Sequence, residues 1–166
     1  MDNIILIGMP GCGKSTVGVV LAKTLGFDFI DTDLIICKQQ GSTLQKLIED
    51  KGIANFRMVE SNVGKNLEVS RTVVATGGSM VLYEDAMTAL KAKGKVVFID
   101  VGLEELCRRI TNITTRGITF ENGETLEDIY NSRRPFYKKY ADITVNVCGC
   151  GVERTVENLV ELLNMK

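Results

Sequence analysis

Short apolar runs alternate with stretches of helical spacing along this 166-residue chain. Asn3 to Ile7 (NIILI) is a short, mainly apolar, β-branched run and predicts a buried strand stopping at Gly8. Lys14 to Leu25 sets Val17, Val20, Leu21 and Leu25 on one side, so it predicts a helix, with Gly26 as its stop. Phe29 to Asp31 predicts a second strand that ends in carboxylates. Residues 33 to 70 predict mostly helix, broken near Gly41 and Gly52. Thr72 to Ala75 predicts a third strand, ending at Gly77-Gly78. A helix from about Glu84 to Lys93 leads through Gly94 into a fourth strand, KVVFID. Leu103 to Ile110 predicts a short helix, and Thr125 to Tyr140 a helix apart from Pro135. Ile143 to Val147 predicts a fifth strand and Val152 to Leu163 a final helix. Residues 111 to 124 have no clear period and predict a mobile loop.

Short apolar strands alternating with helices predict an α/β fold: a three-layer α/β/α sandwich around a five-stranded parallel sheet. The length suits a single domain spanning residues 1–166, and no internal repeat is present. In such sheets ligands bind at the carboxyl ends of the strands. Gly8, Asp31 and Gly77 all fall at such ends, so three distant stretches should meet at one crevice.

Composition narrows the function. A net charge of −1 gives no electrostatic reason to expect nucleic acid or an anionic membrane as partner. No apolar run has membrane-spanning length, and MDNIILIG lacks the marks of a signal peptide, so a cytoplasmic location is the default expectation. Five scattered cysteines read as free thiols, and the CGC at 148 to 150 lacks the further ligands a structural zinc needs. The chain has no histidine, which excludes Ser-His-Asp and Cys-His catalysis and histidine metal sites.

Chemistry concentrates first in GMPGCGKST, residues 8 to 16. It fits G-x-x-x-x-G-K-[ST] through Gly8, Gly13, Lys14 and Ser15, and it sits between a predicted strand and a predicted helix, as that motif requires. Backbone N–H groups of Gly11, Cys12, Gly13, Lys14, Ser15 and Thr16 would then cradle phosphate at the positive end of the helix. Lys14 would reach the β- and γ-phosphates of ATP, and Ser15 would hold Mg²⁺. Cys12, at a helix start, is expected to alkylate in the free protein and to be shielded by MgATP.

The loop names a nucleotide and leaves the reaction open. Asp31 and Asp33 (DTD) suit a magnesium-bound water or an acceptor hydroxyl, while Asp33 could equally cap the following helix. Arg57 and Glu60 are one turn apart and could be a plain ion pair. ATGGSM brings a glycine pair to a strand end, where backbone can approach a ligand closely. Arg116 in the loop, and Arg133 and Arg134 before Pro135, could neutralise transferred phosphoryl charge or simply meet solvent.

In order and spacing, GMPGCGKST, DTD, FRMVE, GGS, TTR, and RRPFY followed by YAD resemble the shikimate kinase family, of the nucleoside-monophosphate-kinase-like P-loop fold, over nearly the whole chain. The resemblance implies ATP-dependent phosphorylation of shikimate, with ATP and Mg²⁺ as cofactors, by a monomer. It implies a substrate-binding helical segment at about 33–60 and a lid at about 110–124. Asp33, Arg57, Gly78 and Arg133 would contact shikimate, the two arginines clamping its carboxylate. Arg133, rather than Arg134, fits the family's R-x-P-x-Y. Lys14, Asp33 and Arg116 would be catalytic, with Arg116 also on the ATP phosphates and Asp31 orienting a magnesium-bound water. Two positions depart from the pattern: Ser79 replaces the third glycine of the usual triple, and Gly117 follows Arg116 where proline is usual. A kinase for another small hydroxylated acid, or a nucleotide-binding module without catalysis, are the other readings. A guanine-reading Asn-Lys-x-Asp run is absent, which disfavours a GTPase.

Overall fold

The computed structural model describes residues 3–110, 123–147, 149 and 151–164. Among these, five parallel strands form one sheet in the order β2-β3-β1-β4-β5. β1 (Asn3–Ile7) is central, flanked by β3 (Thr72–Ala75) and β4 (Gly94–Val101). β2 (Asp28–Asp31) and β5 (Ile143–Val147) are the edges. Every residue of β1 and β3 is buried. A strand covered on both faces needs apolar side chains at odd and even positions alike, so NIILI reads as a run rather than an alternation. β5 does alternate, with Ile143, Val145 and Val147 inward and Thr144 and Asn146 exposed, as suits an edge.

The covering layers come from α1 (Lys14–Leu25), α4 (Glu84–Lys93), α6 (Leu126–Tyr140) and α7 (Val152–Asn164), with α1 packed on α7. α2 (Thr32–Gln40) and α3 (Leu44–Asn66) pack on each other, and α3 also on α4. α5 (Leu103–Arg109) is short. The breaks expected in the 33 to 70 stretch are present: Gly41 ends α2 at φ 60°, and Gly52, at φ 80° and ψ 163°, divides α3. Ile36, Leu47, Phe56 and Val63 form a small apolar cluster separate from the main core, which gives the α2–α3 segment its own packing. A 3-10 turn over Met80–Leu82 was not expected from the sequence. Pro135 lies inside α6, which continues through it. The expected lid, including Arg116, and both Cys148 and Cys150 lie outside the described residues except for the lid's ends.

Chain order places the crevice. From β1 the chain runs to edge strand β2, returns to β3 beside β1, and then crosses to β4 on the other side. The connections therefore diverge at the carboxyl ends of β1 and β3, the usual ligand position in such sheets.

Close packing of α1 on the sheet rests on Gly18. A Cβ there would stand 2.6 Å from Phe29 Cε2 and 3.2 Å from Leu6 Cδ1. Gly to Ala inside a helix ordinarily gains about 1 kcal/mol. Here overpacking opposes it, typically by about 1–3 kcal/mol. Gly18→Ala is therefore expected to lower the urea midpoint; a raised midpoint would show that Phe29 yields without strain.

Candidate active site

β1 feeds directly into the phosphate-loop sequence. Gly8 and Gly11 adopt φ of 151° and 79°, and each presses where a side chain cannot fit: a Cβ would lie 2.7 Å from Ile99 O at Gly8 and 2.6 Å from Ile110 Cγ1 at Gly11. The amide of Cys12 donates to Met9 O at 3.2 Å and closes the turn. Gly13 then stands at the start of α1 with no side chain capping it. Helix-start N–H groups at the mouth of a glycine turn are the donor set a polyphosphate requires.

Lys14 is buried, and its Nζ donates to Gly8 O at 2.8 Å and Met9 O at 2.9 Å. Ser15 Oγ donates to Asp31 Oδ2 at 2.6 Å, and the other Asp31 oxygen accepts the amide of Asp33 at 2.9 Å. The helix cap expected of Asp33 is thus Asp31, and Asp33 occupies the first turn of α2, free to face the crevice. A hydroxyl and a carboxylate paired at the start of the phosphate-loop helix are hard oxygen donors, which fit a magnesium ion.

One cavity of about 380 Å³ opens across these elements. Of the residues singled out in the sequence, Gly11, Gly13, Lys14, Ser15, Thr16, Asp33, Gly78 and Arg133 line it. Leu44, Phe56, Glu60 and Ser79 also line it and were not assigned from sequence. Phe56 and Glu60 are buried and four residues apart on α3, a spacing that could have marked them as one inward face. Arg57 is half-buried on α3, outside this lining, with its charge acting on Tyr83.

The end of β3 is tightly held. Gly77 donates its amide to the buried Thr32 Oγ1 at 3.0 Å. A Cβ on Gly77 would collide with Glu60 Oε1 and stand 2.9 Å from Asp33 Oδ1, so both carboxylates lie against this backbone. On Gly78, a Cβ would lie 2.6 Å from Pro10 Cδ. Tyr137 Oη donates to Gly78 O at 2.6 Å and is hydrogen-bonded to Arg133. Arg134 turns away and pairs with Asp100 at 2.5 Å, which leaves Arg133, only 5% exposed, as the cavity's arginine. Arg109, also unassigned from sequence, reaches the phosphate loop at Cys12 O, 3.4 Å away.

Burial, then the charges of Glu60 and Asp31, push the Asp33 carboxyl up to about 7, against the pull of Lys14. Burial raises Glu60 as well, opposed by hydrogen bonds from Ser79 and Tyr83 and by the charge of Arg133. A group near 7 is matched to proton transfer at neutral pH. It also costs stability. The fold holds a proton on Asp33 that the unfolded chain has released above about pH 4. The Asp33 contribution to stability therefore falls as pH rises from about 4 to 7, and is level beyond. Asp33→Asn is expected to flatten that window and to stabilise the protein at about pH 8 by roughly 1–3 kcal/mol. Urea unfolding across pH measures this; an unchanged slope would mean Asp33 ionises freely.

The accessible thiol expected at Cys12 is corrected by the structure. Its side chain is 1% exposed, and its sulfur lies under the loop, 3.7 Å from Lys14 Nζ. Cys107 is exposed and Cys37 partly so. Alkylation followed by peptide mapping should label Cys107 rapidly in the native protein and Cys12 only on unfolding, with or without MgATP. Rapid native labelling of Cys12 would mean that the loop opens.

A parallel α/β sheet with a phosphate loop at its switch point, joined to a second pocket of carboxylates and arginine, defines a P-loop nucleotide-binding protein of the kinase kind. Comparison with known proteins narrows the class. A family model described as shikimate kinase matches residues 10–164. The shikimate kinase of Caldicellulosiruptor bescii is 32% identical over 166 residues, covering 98% of this chain and 95% of that one. That of Thermodesulfovibrio yellowstonii is 34% identical, covering 97% and 94%. Among solved structures, the shikimate kinase of Acinetobacter baumannii in complex with shikimate superposes with a TM-score of 0.92 at 30% identity, covering 99% of this chain and 94% of that one. The chain belongs to the shikimate kinase family.

Proposed function

We propose that this protein transfers the γ-phosphoryl group of ATP to a hydroxyl of shikimate, giving shikimate 3-phosphate and ADP, a step of aromatic amino acid biosynthesis. The observation that carries the reading is that the phosphate loop and the Asp33–Arg133 pocket share one cavity, in a fold that superposes closely on a relative in complex with shikimate. In this reading the acceptor oxygen forms a bond to the γ-phosphorus while the bond to the ADP oxygen breaks, and the hydroxyl proton passes to Asp33. Arg133 and Arg57 clamp the acceptor's carboxylate, where a planar guanidinium can offer two parallel donors. The backbone at Gly78 lies against the acceptor ring. Lys14 leaves the carbonyls of Gly8 and Met9 for the transferred phosphoryl group, and Arg116 closes over the ATP phosphates. Cys12 takes part through the loop's backbone.

Magnesium, held by Ser15 and through water by Asp31, would supply charge neutralisation at the phosphates. Such transfer is mainly alignment and charge stabilisation, which a rigid donor set supplies. The reading extends to a monomer working in the cytoplasm on small molecules, without nucleic acid or membrane. Among the described residues, no helix is long and apolar enough to cross a membrane.

An ADP-release assay with ATP, Mg²⁺ and shikimate, run beside quinate and homoserine, tests the reaction. Fast turnover with shikimate alone is the expected result, and slow hydrolysis with every acceptor would reject the acceptor. In the same assay, Arg133→Ala and Arg57→Ala should each raise the acceptor KM roughly 10- to 100-fold, the loss of one charge-assisted pair. The KM for ATP should hardly move. Equal weakening of both substrates would remove the clamp assignment.

A further inference from the structure

Ser79 stands where the family resemblance leads one to expect a third glycine, and its hydroxyl is not idle. It donates to Glu60 Oε2 at 2.5 Å. Tyr83 Oη donates to the same oxygen at 2.9 Å. The 3-10 turn over Met80–Leu82 brings the two donors together: Leu82 bonds back to Ser79 O at 2.9 Å and Tyr83 to Met80 O at 3.1 Å. α3 can close on this turn because Gly64, one helical turn beyond Glu60, leaves room for Met80, whose sulfur would be 2.7 Å from a Cβ there.

We propose that Ser79 is a positioning residue for the acceptor site: with Tyr83 it holds Glu60 by one carboxylate oxygen and so fixes the other against Gly77, beside Asp33. Without these donors Glu60 would be a buried carboxylate with cations nearby, Arg133 from α6 and Lys14 from α1, and it could swing toward either. Two donors on Oε2 prevent that swing. Glu60 Oε1 then borders the cavity within reach of the Gly77 backbone, where it limits the space and the hydroxyl pattern an acceptor can present. Glycine at position 79 would offer no hydroxyl; serine adds the donor within a turn that already tolerates its side chain, since Ser79 has α-helical φ and ψ of −92° and −7°.

This rests on the proposed reading of the site as an acceptor pocket, so the experiment has one arm that needs no acceptor. In ligand-free protein, the ¹³C carboxyl resonance of Glu60, assigned through Glu60→Gln, is followed against pH. The groups facing Glu60 are Ser79 and Tyr83 from the turn, Arg133 from α6 and Lys14 from α1, and Asp33 from α2 lies with it against Gly77. Losing a donor to the charged form should raise the Glu60 midpoint in Ser79→Ala and in Tyr83→Phe, and Ser79→Thr should restore it. An unmoved midpoint in both variants would overturn the clamp. In the kinetic arm, Ser79→Ala should raise the KM for shikimate about 5- to 20-fold with little change in that for ATP, and should have no further effect in a Glu60→Gln background. Additive effects, or equal loss for both substrates, would overturn the positioning role. Should Ser79→Ala fail to fold, Tyr83→Phe reads the same clamp from its other donor. Absence of wild-type turnover with shikimate would reject the reaction and leave the midpoint arm to decide the clamp.

Discussion

Everything in the site depends on how little room there is at the end of β3. Gly77 has Thr32 on its amide and two carboxylates against its Cα; Gly78 has Pro10 against its Cα and Tyr137 on its carbonyl. Those contacts come from α2, α3, the phosphate loop and α6. Four elements are thereby registered on two residues of backbone. A side chain at Gly77 would displace the two carboxylates, and one at Gly78 would run into the Pro10 ring and backbone. The phosphate loop and the neighbouring pocket are thus tied to one stretch of backbone by side chains from four elements, which leaves that backbone little room to move.

The charges at rest are arranged around that junction. Lys14 is tied to the carbonyls of its own loop, and Asp31 is occupied by Ser15 and by the start of α2. Asp33 and Glu60 lie against one backbone segment in largely dry surroundings; burial raises the proton affinity of both, and the charge of Glu60 raises that of Asp33 further. A polyanion entering the loop would draw Lys14 off its carbonyls, and an acid entering the pocket would meet Arg133. The pull of Lys14 on Asp33 would therefore not be constant: a lysine drawn toward an incoming polyanion is the same one that opposes the rise in Asp33's proton affinity. The phosphate loop and the Asp33 end of the cavity share an electrostatic partner as well as a wall.

Much of this was legible in the sequence because the chemistry is carried by elements with strong periods. Buried parallel strands read as apolar runs, and the phosphate loop needs its glycines at fixed places. The reading slipped where the deciding contact is tertiary. DTD offers two carboxylates for one cap, and only the 2.6 Å bond from Ser15 to Asp31 shows which one is bound to the loop. Cys12 sits at a helix start, which pointed to an accessible thiol, but its side chain turns inward under Gly8 and is buried from reagents. Glu60 could be matched in sequence only to its neighbour at one helical turn; its hydrogen bonds to Ser79 and Tyr83 cross to a turn about twenty residues later that no periodicity announces.

The adjacent arginines show how a fold separates two chemically identical side chains. On a helix, successive residues point about 100° apart, so Arg133 and Arg134 cannot both face the cavity. The choice is made by Asp100 at the far end of β4, buried and two-pronged toward Arg134 through its Nε at 3.3 Å and Nη2 at 2.5 Å. Burying Asp100 unpaired would be costly, and Arg134 is the residue of α6 that relieves it. That pairing sets the rotation of α6, and the rotation puts Arg133 into the cavity and Tyr137, one turn on, onto Gly78. The guanidinium presented to the cavity thus follows from a salt bridge that does not line it. The sheet's own strand end determines which arginine is available to the ligand.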